Sequence, residues 1–269
     1  MAPTFLSGMA QLVDLYDGAI LDLWGVLHDG ENPMDGAVDC LENLREAGWR
    51  LVLLSNAPRR AASVAEQVAG FGIPPKAYDG IVTSGDLTRE ALTNPDEWHQ
   101  KLGSKFYHLG PERDWGLLDG LTLNRVADAI DCDFILNTGL FDDETETEAT
   151  YAEFLAEAHS RGTPMICANP DRVVLRGDRR IPCAGAVAAA YEAIGGQVHY
   201  HGKPDGGAYD ACQALMPEIP KGRLVAVGDS LTTDIAGASR SGIDSVFVFS
   251  GIDGGKQASS TMTMQSFVW

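Results

Sequence analysis

Short apolar, β-branched runs alternate along this chain with longer stretches whose apolar positions recur at helical spacing. Continuously apolar runs need cover on both faces, and intervening helices supply it. The rhythm therefore predicts βαβ units around a parallel sheet. Strands are predicted at Ala19–Leu23, Arg50–Leu54, Gly80–Thr83, Lys105–Leu109, Asp133–Asn137, Pro164–Ala168, Gln197–His201, Leu224–Gly228 and Ser245–Phe249. Helices are predicted at Gly36–Ala47, Ala61–Ala69, Ser84–Leu92, Glu146–Ser160, Ala184–Ile194 and Gly207–Leu215, several closed by glycine or proline.

The residues with chemical character lie in the two outer stretches, and the middle carries none of the strand-end acids that recur there. This predicts an α/β fold: a doubly wound, Rossmann-like parallel-sheet core over residues 1–96 and 199–269, split by an inserted α/β cap domain over 97–198. An insert of about 100 residues is large enough to fold as a unit. The tail Gln257–Trp269 fits no functional pattern.

The formal charge of −18 excludes a phosphate-backbone binder, since no Lys/Arg cluster forms a cationic face. A small anion held by a local cation stays compatible with that acidity. The five scattered cysteines (Cys40, Cys132, Cys167, Cys183, Cys212) have neither CxxC nor zinc spacing, and they read as reduced, buried small hydrophobes of a cytoplasmic protein. The opening MAPTFLSGMAQLVDLYDG lacks the basic and apolar regions of a signal peptide, and no run of about 18 apolar residues suits a membrane span. The expectation is a cytoplasmic protein without nucleic-acid or membrane partners, with apolar stretches in the insert that suit a homodimer.

In a parallel α/β sheet, functional groups gather at the carboxyl ends of strands. Four such ends stand out: Asp22 in DLWGVL, Ser55-Asn56 in LLSNAPR, Lys203 in HGKP, and Asp229 with Asp234 in VGDSLTTD. Asp22 and Asp229 offer hard oxygen ligands for Mg²⁺. Ser55 and nearby backbone N–H groups can donate to phosphate oxygens, and Lys203 can neutralise a transferring phosphoryl group. A carboxylate held in line can attack phosphorus, forming an aspartyl-phosphate that water then cleaves.

These four motifs, in this order, resemble those of the haloacid dehalogenase-like (HAD) hydrolase superfamily. The large insert between the second and third resembles the class IIA branch, kin of N-acetylglucosamine-phosphate and pyridoxal-phosphate phosphatases. Ala168-Asn169-Pro170-Asp171 and Pro182–Ala190 add to that likeness. The resemblance implies a Mg²⁺-dependent phosphatase of small phosphorylated metabolites. In it Asp22 is the nucleophile and a metal ligand, Trp24 lends its backbone carbonyl to the metal, and Ser55 with Asn56 binds phosphate. Lys203 pairs with phosphate and nucleophile, while Asp229 and Asp234 complete the metal site.

The departure is Trp24. Most phosphatases of the superfamily carry there a second aspartate that protonates the leaving alcohol and later activates water, and an indole has no useful acidity. Loss of such a group removes about 10²–10⁴-fold in rate. Open readings are a substrate with a good leaving group, replacement by His28, a catalytically weak or inactive binder of a phosphometabolite, and dehalogenation. His108, His159, His199 and His201 show no ligand spacing and read as structural or exposed. The acids at 142–148 read as a solvated helix start rather than a Ca²⁺ loop. Gly195-Gly196 and Gly206-Gly207 read as turns.

Overall fold

The computed structural model describes residues 4–253 and 262–269. In chain order its strands are β1 (Thr4–Leu6), β2 (Gly18–Leu21), β3 (Arg50–Ser55), β4 (Gly80–Thr83), β5 (Lys105–Leu109), β6 (Asn124–Val126), β7 (Phe134–Asn137), β8 (Met165–Cys167), β9 (Val173–Arg176), β10 (Arg179–Pro182), β11 (Val198–Tyr200), β12 (Leu224–Gly228), β13 (Asp244–Val248) and β14 (Met262–Met264). The α-helices are α1 (Ala37–Glu46), α2 (Ala61–Gly70), α3 (Ser84–Thr93), α4 (Ala152–Ser160), α5 (Ala184–Ala193), α6 (Gly206–Ala214) and α7 (Ala236–Ser241).

Among the described residues, seven strands form one sheet in the order β1-β14-β13-β12-β2-β3-β4, every pair parallel. The chain winds outward from β2 through β3 to β4 on one side. It winds outward from β12 through β13 to β14 on the other. β2 and β12 are therefore neighbours at the point where winding reverses, the place where a doubly wound sheet opens a crevice. Side-chain alternation assigns the two faces. Ala19, Leu21, Leu51, Leu53, Val225 and Val227 pack with α1 and α2, whereas Ile20, Val52, Leu54, Leu224 and Ala226 pack with α6.

A second parallel sheet has the order β11-β8-β7-β5-β6, and β9 and β10 form an antiparallel hairpin beside it. Its faces divide the same way: Ile135, Met165 and Cys167 pack with α4 and α5, and Phe134, Leu136 and Ile166 fill the other side. The predicted α/β architecture is what the chain adopts. The strand predicted at Gln197–His201 straddles the predicted boundary, and its residues Val198–Tyr200 pair with Met165–Cys167 in the smaller sheet. A boundary between 198 and 199 thus cuts through a strand, because three half-buried residues (Val198, His199, Tyr200) find an open edge at β8 before the chain returns.

Of the tail, residues 257–261 lie outside the described residues. Met262–Met264 insert as β14 between β1 and β13, and Phe267 is buried in the core. Among the acids before α4, Asp142 caps a turn through Glu144 N and Thr145 Oγ1, whereas Asp143, expected on a solvated helix start, pairs with the distant Arg113 and Arg176. The cysteines are free, and all but the half-buried Cys132 are buried. No helix among the described residues is long and apolar enough to cross a membrane.

Candidate active site

The register Leu21↔Val227 puts the residues after β2 and β12 side by side, and Asp22 N–H donates to Val227 O at 2.9 Å. Asp22 and Asp229 therefore leave the sheet from adjacent strands. Asp234 returns to them from the first turn after β12, where its Oδ2 accepts the Ser230 N–H at 3.1 Å. Carboxylate oxygens of Asp22, Asp229 and Asp234 all lie within 4.8 Å of one another, and all three residues are buried. Gly25 makes the approach feasible. Its φ of +75° suits glycine, and a Cβ there would lie 2.0 Å from Asp229 Oδ2.

Lys203, 3% exposed, arrives from the turn after β11. Its ammonium donates to Asp22 Oδ1 at 2.5 Å and to Asp234 Oδ1 at 2.7 Å. Burial alone would lower its pKa, but Asp22, Asp234 and Asp171 together hold it well above the usual lysine range. The carboxylates feel the opposite strain. Burial, then the charge of Asp234, pushes Asp22 well up despite Lys203, and the same two causes raise Asp229 to about 7. One lysine against this many buried acids leaves a negative surplus, which a bound divalent cation would relieve. Hard carboxylate oxygens suit such an ion, so the residues present fit the metal that the sequence implies.

Asp22, Trp24, Asp171, Lys203, Asp229 and Asp234 line a single cavity of about 1060 Å³. Ser55 is buried at the end of β3, its Oγ accepting the Ala57 N–H at 3.1 Å. Asn56, expected beside Ser55 at the phosphate, makes four hydrogen bonds within the chain. Its Nδ2 donates to Asp171 Oδ1 at 2.8 Å and to Lys203 O at 3.2 Å, and its Oδ1 accepts from Lys203 N at 2.8 Å and Ser84 Oγ at 3.2 Å. Both amide hydrogens are taken, and Asn56 braces Lys203 and Asp171.

The indole of Trp24 lies with its outer edge over Gly30, and its ring is edge-on to His28 at 5.1 Å. His28 does not substitute for an acid. It is 1% exposed, packed on Phe71, and its Nδ1 accepts the Gly30 N–H at 3.0 Å, while burial lowers its pKa to about 4. Two residues escaped the sequence reading of function. Asp171 stood in a quoted motif but had no role; it is half-buried, and desolvation raises its pKa against the pull of Lys203. Asp253 lines the cavity and accepts the Leu231 N–H at 2.8 Å, with no local motif to announce it.

Two family models match the chain, haloacid dehalogenase-like hydrolase over residues 19–123 and a HAD-hydrolase-like model over residues 200–268. A crystal structure of a haloacid dehalogenase-like hydrolase from Brucella suis 1330 is 33% identical, with a TM-score of 0.89 over 98% of this chain and all of that one. The chain belongs to the haloacid dehalogenase-like hydrolases. Among relatives of this family, chronophin from Bos taurus is 26% identical over 94% of this chain and 87% of its own length. Ribonucleotide monophosphatase NagD from Escherichia coli K12 is 26% identical over 87% of each chain. The chain is accordingly an enzyme, a hydrolase of the phosphatase kind. HAD phosphatases generally use a divalent metal ion, for which the buried trio of acids is the fitting site here.

Proposed function

We propose that the chain is a Mg²⁺-dependent phosphatase of small phosphorylated metabolites, working through Asp22. The observation that carries this reading is the Lys203 ammonium held between Asp22 and Asp234, with Asp229 beside them at the winding reversal. Asp22, Asp229, Asp234 and the backbone carbonyl of Trp24 would hold the ion, which when bound offsets charge on the carboxylates and the phosphoryl oxygens. Lys203 keeps one Asp22 oxygen fixed, leaving the other to attack phosphorus. The O–P bond to Asp22 forms as the bond to the leaving oxygen breaks, and that oxygen departs with the electron pair. Water then attacks the aspartyl-phosphate, releasing inorganic phosphate and restoring Asp22. Ser55, at the neighbouring strand end, donates its hydroxyl to a phosphoryl oxygen.

Trp24 narrows the substrate class. With no acid at residue 24 and His28 turned away, the leaving oxygen receives no proton from this loop, which favours acyl phosphates, anhydrides and other good leaving groups. The unit built on the smaller sheet, residues 97–198 together with His199 and Tyr200 of β11, acts as the cap that limits water and selects the substrate. The test compares wild type with Asp22→Asn on acetyl phosphate and 4-nitrophenyl phosphate with Mg²⁺. Phosphate release falls by on the order of 10³-fold or more in the variant. Equal release from both proteins removes Asp22 from the reaction.

A further inference from the structure

Three histidines that lie far apart in sequence or at unremarkable spacing meet where the two sheets adjoin. His99 follows α3 on the connection into β5, His199 lies within β11, and His201 directly follows that strand. One ring nitrogen of each lies within 4.8 Å of the others. His99 is 5% exposed and His201 9%, and Trp98 stacks on His199 at 4.5 Å.

The hydrogen-bond partners fix the tautomers. Thr88 Oγ1 donates its one proton to Ser84 O at 2.8 Å, so at its 3.0 Å contact with His201 Nδ1 it can only accept. The hydrogen of His201 is therefore on Nδ1. Asp96 Oδ1 lies 2.7 Å from His99 Nδ1 and already accepts the backbone N–H groups of Trp98 and His99, which identifies it as an ionised acceptor. The hydrogen of His99 is on Nδ1 as well. With one hydrogen on each ring the two Nε2 atoms are left bare, and their lone pairs face each other at 3.1 Å. Two acceptors at that distance repel unless a cation joins them.

We propose that His99, His199 and His201 form a site for a divalent transition-metal ion of the zinc type. Two nitrogens 3.1 Å apart can each lie 2.0–2.1 Å from one ion at an angle of about 100°, close to tetrahedral. His199 turns in as the third ligand, and it also lines the large cavity, so the fourth position opens toward solvent. Asp96 behind His99 and Thr88 behind His201 are the outer partners that orient metal-binding imidazoles. Imidazole nitrogens select zinc, nickel or copper, whereas the acids around Lys203 select a hard ion, so the two sites sort their metals by ligand chemistry. An ion here ties the connection after α3 to the end of β11, two residues before Lys203. It would thus act as a fastener between the two sheets.

The test uses full-length protein stripped of metal and returned to excess Mg²⁺, which occupies the carboxylates. Zinc binding is then followed by equilibrium dialysis and Co²⁺ binding by visible absorption. Wild type takes up one Zn²⁺ per chain. His99→Gln and His201→Gln each lower that affinity at least 100-fold, and Asp96→Asn lowers it about 10–100-fold. Thermal unfolding of wild type shifts upward with Zn²⁺, and that of the histidine variants does not. Should a variant fail to fold, ¹⁵N NMR of wild type supplies the reading: added Zn²⁺ moves the Nε2 resonances of His99 and His201 and leaves both Nδ1 atoms protonated. Zinc uptake unchanged in both histidine variants overturns the proposal. So does a hydrogen that persists on either Nε2 after zinc is added, because a proton then fills the gap.

Discussion

The ammonium of Lys203 lies 2.5 Å from Asp22 Oδ1, with both residues buried. Each charge is tolerable in that setting only because of the other, and Asp234 at 2.7 Å shares the same cation. Removing one member of a buried ion pair costs about 3–5 kcal/mol, since the survivor stays buried and unpaired. Lys203→Met is expected to lower unfolding free energy by that order and to abolish phosphate release. Added Mg²⁺ recovers part of the stability and none of the activity. Denaturant unfolding with and without Mg²⁺ measures it; a variant as stable as wild type without metal would mean the acids are protonated and Lys203 holds no charge in place.

Trp24 stands where the motif resemblance implies a proton donor, and it lines the cavity with Asp22. Trp24→Asp is expected to raise kcat on alkyl phosphate esters by about 10²–10⁴-fold. Acyl phosphates, whose leaving groups need no proton, should change little. The contrast between substrate classes is the reading. No gain on alkyl esters would show that leaving-group protonation is not the missing step, and weak turnover would then need another cause.

Asn56 holds the backbone of Lys203 from both sides, accepting its N–H at 2.8 Å and donating to its carbonyl at 3.2 Å. Asn56→Ala orphans those groups and Asp171 Oδ1, at about 1–3 kcal/mol for each buried polar group left unpaired. The expected result is a fall in kcat with KM nearly unchanged, because the Asn56 side chain is committed to Asp171, Lys203 and Ser84. A rise in KM at constant kcat would return Asn56 to the phosphate-binding role that its place in the motif suggested.

Strand-end chemistry was legible in the sequence because local order dictates it. Asp22, Ser55, Lys203 and Asp229 each follow an apolar run, and a parallel sheet collects such ends whatever else the chain does. The strand at Val198–Tyr200 was legible as a strand, but not its sheet, since pairing with Met165–Cys167 is a choice between two open edges that no local signal records. The strands β1 and β14 have three residues each, too few to show a period. The bracing bonds of Asn56 are hidden for a related reason: an amide beside a serine reads as a donor, and its bonds to Asp171, Lys203 and Ser84 come from tertiary packing. The histidine cluster was invisible, because His99 and His201 are brought to 3.1 Å by tertiary packing between residues about a hundred positions apart.

His28 makes the fold sensitive to acid. Its ring is buried between Trp24 and Phe71, and its Nδ1 is committed as an acceptor to Gly30 N–H. Burial, reinforced by Arg59 and only partly countered by Asp29, lowers its pKa to about 4. In the unfolded chain the same imidazole titrates near 6.5. Between those two values the unfolded chain binds a proton that the folded one refuses, so unfolding is favoured as pH falls, and the contribution is fully present only above the unfolded value. Integrated from about pH 7.5 to 5, the share of His28 is about 2 kcal/mol. His108, lowered to about 4 chiefly by burial, adds a second share of the same sign. His28→Gln keeps a side-chain acceptor for Gly30 and carries no titrating proton. Its stability, measured by urea unfolding across that range, should fall by about 2 kcal/mol less than that of wild type, while the part owed to His108 persists. Parallel curves for the two proteins would mean that His28 opens to water and takes its proton without unfolding.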